Sequence, residues 1–224
     1  MKDILTNLHI LLQRIRDAEQ TYHRVPGSVS LLAVSKSHAS TLIETLLGAQ
    51  QHDFGENYLQ EALIKISALE NKQLTWHFIG PIQSKKAPLI AQHFNWVHTV
   101  SRFKEAQALS EHRPQNLGHL NICIQVKLDN NPKRGGVVPE DVPALIEVIK
   151  PLPLLRLRGL MTIPPFSEDF EQQRKYFSLV KTLYEQVNDG TMDTLSMGMT
   201  SDLEAAIAEG STMVRIGTGL FGPR

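Results

Sequence analysis

Residues 194–222 read TLSMGMTSDLEAAIAEGSTMVRIGTGLFG, and the fold turns on how this stretch is understood. Two short runs, 194–197 and 213–216, have the apolar character of strands and flank a helix expected over 202–209. Ser201 and Glu204 stand at the spacing of a capping box that would open this helix. The closing glycines, Gly217, Gly219 and Gly222, spell G-x-G-x-x-G, the pattern of a dinucleotide-binding turn. That pattern stands two residues before the end of the sequence, so no room remains for a crossover helix, a further strand and a ribose-binding acid. The glycines therefore point to phosphate chemistry of another kind.

Working outward, the same alternation covers most of the chain. Short apolar or β-branched runs recur at 31–35, around 52–54, and at 75–79, 96–100, 121–127 and 156–162, which makes eight with the two above. Helical spacing appears between them, as in Leu59, Ala62, Leu63, Ile66 and Leu69, or Val142, Leu145, Ile146 and Ile149. Eight strand–helix units joined by right-handed crossovers close naturally into an α/β (β/α)8 barrel of the TIM type, with an open doubly wound sheet as the alternative. Residues 1–24 supply a first amphipathic helix packed on the barrel through Ile4, Leu5, Leu8, Leu11, Leu12 and Ile15. No linker or repeat divides residues 1–224, which read as one domain, and 128–138 (LDNNPKRGGVV) reads as a long loop.

Composition narrows the function. Apolar residues make up 42% and charged residues 21%, the balance of an ordinary globular protein with a sizeable core. Lys plus Arg equals Asp plus Glu at 23 each, so no overall field favours nucleic acid or an anionic membrane. The N-terminal segment has neither a secretory core nor a spanning stretch, and a cytoplasmic protein is expected. Cys123, the single cysteine, sits in the apolar run NICIQV and reads as a small buried hydrophobe. The histidines lack metal-ligand spacing, so no metal is expected, and His77 and His98 read as hydrogen-bonded structural residues.

A barrel keeps its chemistry at the C-terminal ends of its strands. Lys36 follows the first strand there. It is either a solvated strand-end lysine or a Schiff-base lysine whose amine is helped to lose its proton by a partly desolvated pocket. After the seventh and eighth strands, Thr200, Ser201, Gly217 and Thr218 offer hydroxyl and backbone donors to one anion, or else form a helix cap and a terminal turn. Arg215, in mid-strand, needs a specific acceptor. A carboxylate such as Glu56 and the nitrogen of a pyridine ring are both candidates.

The segments LLAVSK, FGENYLQEA, WHFIGPIQSKK, LRGLMTIPP and LSMGMTSDLEAAIAEGSTMVRIGTGLFG resemble the pyridoxal 5'-phosphate (PLP) homeostasis protein family, from residue 31 almost to the end. The resemblance implies a barrel similar to the N-terminal domain of alanine racemase. It also implies PLP as cofactor on Lys36, Arg215 facing the pyridine nitrogen, and Asn57 beside the cofactor. Thr200, Ser201, Gly217 and Thr218 would hold the phosphate. Two positions depart from the family pattern, Thr200 where serine is commoner and Gly219 where alanine is commoner, and the loop LDNNPKRGGV replaces one that usually reads more like K-S-G-I. The resemblance also implies roles in vitamin B6 and amino- and keto-acid homeostasis, and a non-catalytic carrier is expected because the second base of a racemase has no obvious source in the sequence. PLP-dependent apoenzymes are its implied recipients, and the chain is expected to be a monomer or weak dimer. The alternative is an amino-acid racemase, whose second base would have to come from a residue such as Tyr58 or Tyr176.

Overall fold

The computed structural model describes residues 3–129, 131 and 134–222. Eight parallel strands run β1 (Ser30–Val34), β2 (Asp53–Glu56), β3 (Thr75–Phe78), β4 (Trp96–Val100), β5 (Leu120–Val126), β6 (Leu155–Thr162), β7 (Thr194–Ser196) and β8 (Met213–Ile216). They pair in sequence order and close into a barrel, β8 returning to β1 with Leu32 opposite Arg215. Every expected strand is present with its ends within two residues of the sequence reading, and closure excludes the open doubly wound sheet.

The strands stand out in sequence because both of their faces are covered. Leu31 to Val34 and Trp96 to Val100 are buried at every position, as parallel strands between a barrel interior and an outer helical ring must be. That ring comprises α1 (Ile4–Thr21), α2 (Ser40–Gly48), α3 (Leu59–Ala68), α4 (Ala87–His93), α5 (Phe103–His112), α6 (Val142–Ile149), α7 (Phe170–Val187) and α8 (Leu203–Ala208), with a one-turn α9 (Thr218–Phe221) after the last strand. One continuous apolar core joins the helices to the outer face of the barrel.

The first helix turns Leu8, Leu11, Ile15 and Ala18 inward, whereas Leu5 stays exposed. Its buried Glu19 accepts hydrogen bonds from the backbone N–H groups of Gly27 and Val29, which fixes the entry into β1. The long loop expected over 128–138 is not irregular throughout: Val137 pairs in parallel with Val126, extending the ladder beyond β5. Asn130, Pro132 and Lys133 of that loop lie outside the described residues. Among the described residues no helix is long and apolar enough to cross a membrane.

Cys123 is fully buried on β5 beside Trp96 and Met161. Burial pushes its thiol pKa up to about 12, so the reactive thiolate is scarce at neutral pH. The folded protein should leave a chromogenic disulfide reagent unreacted at pH 8 and consume one equivalent only after denaturation. Rapid reaction of the native protein would contradict this placement.

Candidate functional site

At the C-terminal end of the barrel a cavity of about 430 Å³ is lined by Lys36, Asn57, Thr200, Ser201, Arg215, Gly217 and Thr218. All seven residues singled out from the sequence thus meet in one place, contributed by the ends of β1, β2, β7 and β8. The remaining wall is largely apolar: Val34, Ile79, Met161, Ile163 and Met199. His38, which sequence reasoning passed over, also lines the cavity and stacks on Phe221 with ring centroids 4.8 Å apart. No aspartate or glutamate is among the described lining residues, so two cationic side chains face the cavity with hydroxyls at one edge. A wider depression of about 650 Å³ near α6 and α7 sets Lys127 against Asp129 and Glu140 and has no such bias.

The turn carrying Lys36 is anchored from behind. Ser37 adopts φ +65°, unusual for a side-chain-bearing residue, and its N–H donates to Glu61 at 2.6 Å. Lys65 from α3 donates to the Ser35 carbonyl at 2.7 Å, to Glu56 at 2.8 Å and to Glu61. The Ser35 hydroxyl donates to the same Glu56 oxygen at 2.6 Å. Burial raises the Glu56 pKa, opposed by its hydrogen bonds from Lys65 and Ser35. A buried ion pair is costly unless its hydrogen bonds are good, and here they hold the strand end from which Lys36 departs. Lys65 is almost completely buried, and sequence reasoning passed it over because a lysine in a helical stretch carries no signal of burial.

Glu56 is therefore committed to Lys65 and is not the partner of Arg215. Arg215, 5% exposed, donates through Nη1 to the Ser196 carbonyl and to the Ser196 hydroxyl at 2.9 Å, and through Nη2 to the Thr162 carbonyl at 2.8 Å. Burial lowers its pKa to about 10, with Asp202 pulling the other way, so it stays cationic at neutral pH. Its acceptors are neutral carbonyls and a hydroxyl, which leaves a net positive charge at the cavity wall.

The capping box expected from Ser201 and Glu204 does not form. Asp202 holds the cap position of α8 and accepts from the Met199 N–H, while Ser201 is exposed. Glu204 instead meets Arg14 of α1 through two hydrogen bonds of 2.8 and 3.0 Å, and Arg14 also reaches the Thr200 carbonyl. The fork gives the Glu204 carboxylate two bonds from a cation in place of one from a backbone N–H. The first helix thereby braces the loop that carries Thr200 and Ser201.

Two close approaches shape the cradle. A Cβ on Gly80 would stand 2.1 Å from the Asn57 carbonyl oxygen, so only glycine lets these turns pack. At Gly219 an added Cβ would fall 2.7 Å from Thr200 Cγ2, and the Gly219 N–H donates to the Thr200 hydroxyl at 3.2 Å. The two departures from the family pattern are thus in contact: the extra methyl of Thr200 occupies the space left by Gly219.

Fold and site together define a parallel barrel of the alanine racemase N-terminal-domain class, with a cavity bordered by a strand-end lysine and a buried arginine. Residues 7–224 match the family described as alanine racemase, N-terminal domain. The chain belongs to the pyridoxal phosphate homeostasis protein family. It is 51% identical to the pyridoxal phosphate homeostasis protein of Pseudomonas aeruginosa over 224 residues, covering 100% of this chain and 97% of that one. The Escherichia coli protein of the same name is 43% identical, with 100% and 98% covered. Among solved structures, PipY of Synechococcus elongatus with PLP bound superposes with a TM-score of 0.82 at 34% identity, covering 93% of this chain and all of PipY. Alanine racemase of Clostridium difficile, 16% identical, shares the fold with a TM-score of 0.69 over 95% of this chain and 56% of its own.

The contact between Thr200 and Gly219 makes a signed prediction. Gly219→Ala alone should lower stability by about 1–3 kcal/mol through overpacking, despite the roughly 1 kcal/mol that alanine gains over glycine in a helix. Adding Thr200→Ser should recover that loss. Chemical denaturation of the two single variants and the double variant measures the coupling; independent, additive effects would contradict the contact.

Proposed function

We propose that this chain is a PLP carrier: Lys36 holds the cofactor through a Schiff base and the protein takes part in intracellular PLP and amino- and keto-acid balance. The observation that carries the proposal is the cavity itself, where Lys36, Arg215 and the hydroxyl-bearing loops after β7 and β8 converge with no described carboxylate among them. That donor set fits a dianionic phosphate attached to a flat ring. PipY, solved with PLP bound, and relatives named for PLP homeostasis support the same reading.

Each wall has a part. Thr200, Ser201, Gly217 and Thr218 would receive the phosphate, with Arg14 bracing their loop from α1. The apolar side chains Val34, Ile79 and Met161 would exclude water from the ring. Arg215 would present a permanent N–H donor to the ring nitrogen, which favours the unprotonated nitrogen over the protonated one. Asn57, held by its close packing on Gly80, would border the cofactor. When bound, PLP supplies an aldehyde that condenses reversibly with amines, and that reversibility suits transfer to apoenzymes as recipients.

A carrier also accounts for what lies away from the cavity. Racemisation needs a base on each face of the amino acid, and neither Tyr58 nor Tyr176 is among the lining residues. Tyr58 is half exposed at the start of α3, and Tyr176 lies on α7 in the outer ring. An arginine at the ring nitrogen opposes the protonation that makes PLP a strong electron sink. The PLP-loaded protein should therefore exchange the α-hydrogen of L-alanine and other L-amino acids with deuterated solvent no faster than free PLP does. Rapid exchange abolished by Lys36→Ala would restore the racemase reading.

A further inference from the structure

The cavity is connected to the far end of the barrel by a line of hydrogen bonds. Behind Arg215, the Ser196 hydroxyl lies 2.9 Å from His98 Nδ1, and His98 Nε2 lies 2.9 Å from His77 Nδ1. His77 Nε2 is in turn 3.0 Å from the carboxylate of Asp53. Both imidazoles and Ser196 are fully buried, whereas the Asp53 side chain, first in β2 and so at the opposite rim, is 37% exposed. Five residues from β2, β3, β4, β7 and β8 thus form one polar file through an interior that barrels of this kind ordinarily fill with branched apolar side chains.

The ends of the file determine its direction. Arg215 can only donate, and a carboxylate such as that of Asp53 accepts. His77 must then carry its hydrogen on Nε2 to serve Asp53, which leaves Nδ1 to accept from His98. Being neutral, His98 offers Nε2–H to His77 and accepts from the Ser196 hydroxyl at Nδ1, and the Ser196 oxygen is left to accept from Arg215 Nη1. Burial holds both histidines neutral: it lowers the pKa of His77 against the pull of Asp53, and that of His98 well below the ordinary value, with His77 and Arg215 adding to the effect. Every hydrogen in the file has one acceptor, and every bond points from the cation to the anion.

We propose that Asp53, His77, His98 and Ser196 are positioning residues for Arg215. Their one-directional file commits Nη1 to the barrel wall, the Thr162 carbonyl takes one Nη2 hydrogen, and the N–H groups left over are oriented as donors into the cavity, where they select a ring that can accept a hydrogen bond. The inference rests on the PLP reading for the identity of that ring, but the direction of the file does not. Aligned hydrogen bonds polarise one another in a low-dielectric interior, so a carboxylate at the remote rim contributes to the order at the cavity.

The test has two arms. In protein without PLP, long-range proton–nitrogen spectra of labelled histidines should place the hydrogen of both His77 and His98 on Nε2; an Nδ1–H form predominating at either ring overturns the file. In the second arm, binding of PLP is compared with that of an analogue carrying C–H in place of the ring nitrogen, in the parent, Ser196→Ala and Asp53→Ala. The parent's preference for PLP should fall about tenfold in Ser196→Ala, the size expected for losing one hydrogen bond's alignment, and by a smaller factor in Asp53→Ala. Asp53 sits at a half-exposed rim, so its replacement should leave the thermal transition cooperative. An unchanged preference in Asp53→Ala overturns the proposal, whereas failure of the parent to bind PLP at all overturns the cofactor reading and leaves the tautomers to judge the file.

Discussion

A guanidinium buried inside a closed barrel is the constraint on which the rest of this structure depends. Moving such a charge out of water costs several kcal/mol even after relaxation, and among the described residues no carboxylate pairs directly with Arg215. The cost is met by distributed acceptors: two carbonyls at the ends of β6 and β7, one hydroxyl, and behind that hydroxyl two neutral imidazoles ending on a rim carboxylate. A direct carboxylate partner would have neutralised the cavity. Remote compensation keeps the wall positive while satisfying the interior, which is the electrostatic condition for holding an anionic ligand beside a lysine.

A buried charge behind the site is handled in the opposite way. Lys65 is paired tightly with Glu56 and Glu61 behind β1, so its charge is cancelled locally and serves only to fix the Ser35–Ser37 turn. Lys36 projects from that fixed turn into the cavity. Two lysines on neighbouring elements thus divide the work, one immobilising the backbone and the other lining the site. On the other side, the Arg14–Glu204 fork ties α1 to the loop that carries Thr200 and Ser201. These devices hold the loops in place with charge-assisted contacts where apolar packing runs out at the barrel rim.

Much of the architecture was legible because parallel strands covered on both faces leave short runs rich in apolar and β-branched residues, such as LLAV and WVHTV, and the gaps between them carry helical spacing. That the seven residues would meet at one cavity was legible for a different reason: barrel chemistry collects at strand ends, and the motifs there resemble a known family. Partner choice was not legible. Arg215 met carbonyls and a hydroxyl, groups that leave no spacing signature, and Glu204 abandoned the local cap for an arginine 190 positions away in sequence. His77 and His98 were read as hydrogen-bonded structural residues, which the bonds agree with, but that they join into one file depends on which strands face each other across the barrel. The Thr200 and Gly219 departures looked independent in sequence and turned out to be one steric adjustment.

The account stands or falls on Lys36 as the point of attachment. Incubating the protein with PLP, reducing with borohydride and sequencing the pyridoxyl-bearing peptides by mass spectrometry locates that point directly. The account predicts about one adduct per chain, on Lys36, the lysine that lines the cavity beside Arg215 and the phosphate-side loops. A major adduct on another lysine, with Lys36 unmodified, would contradict it.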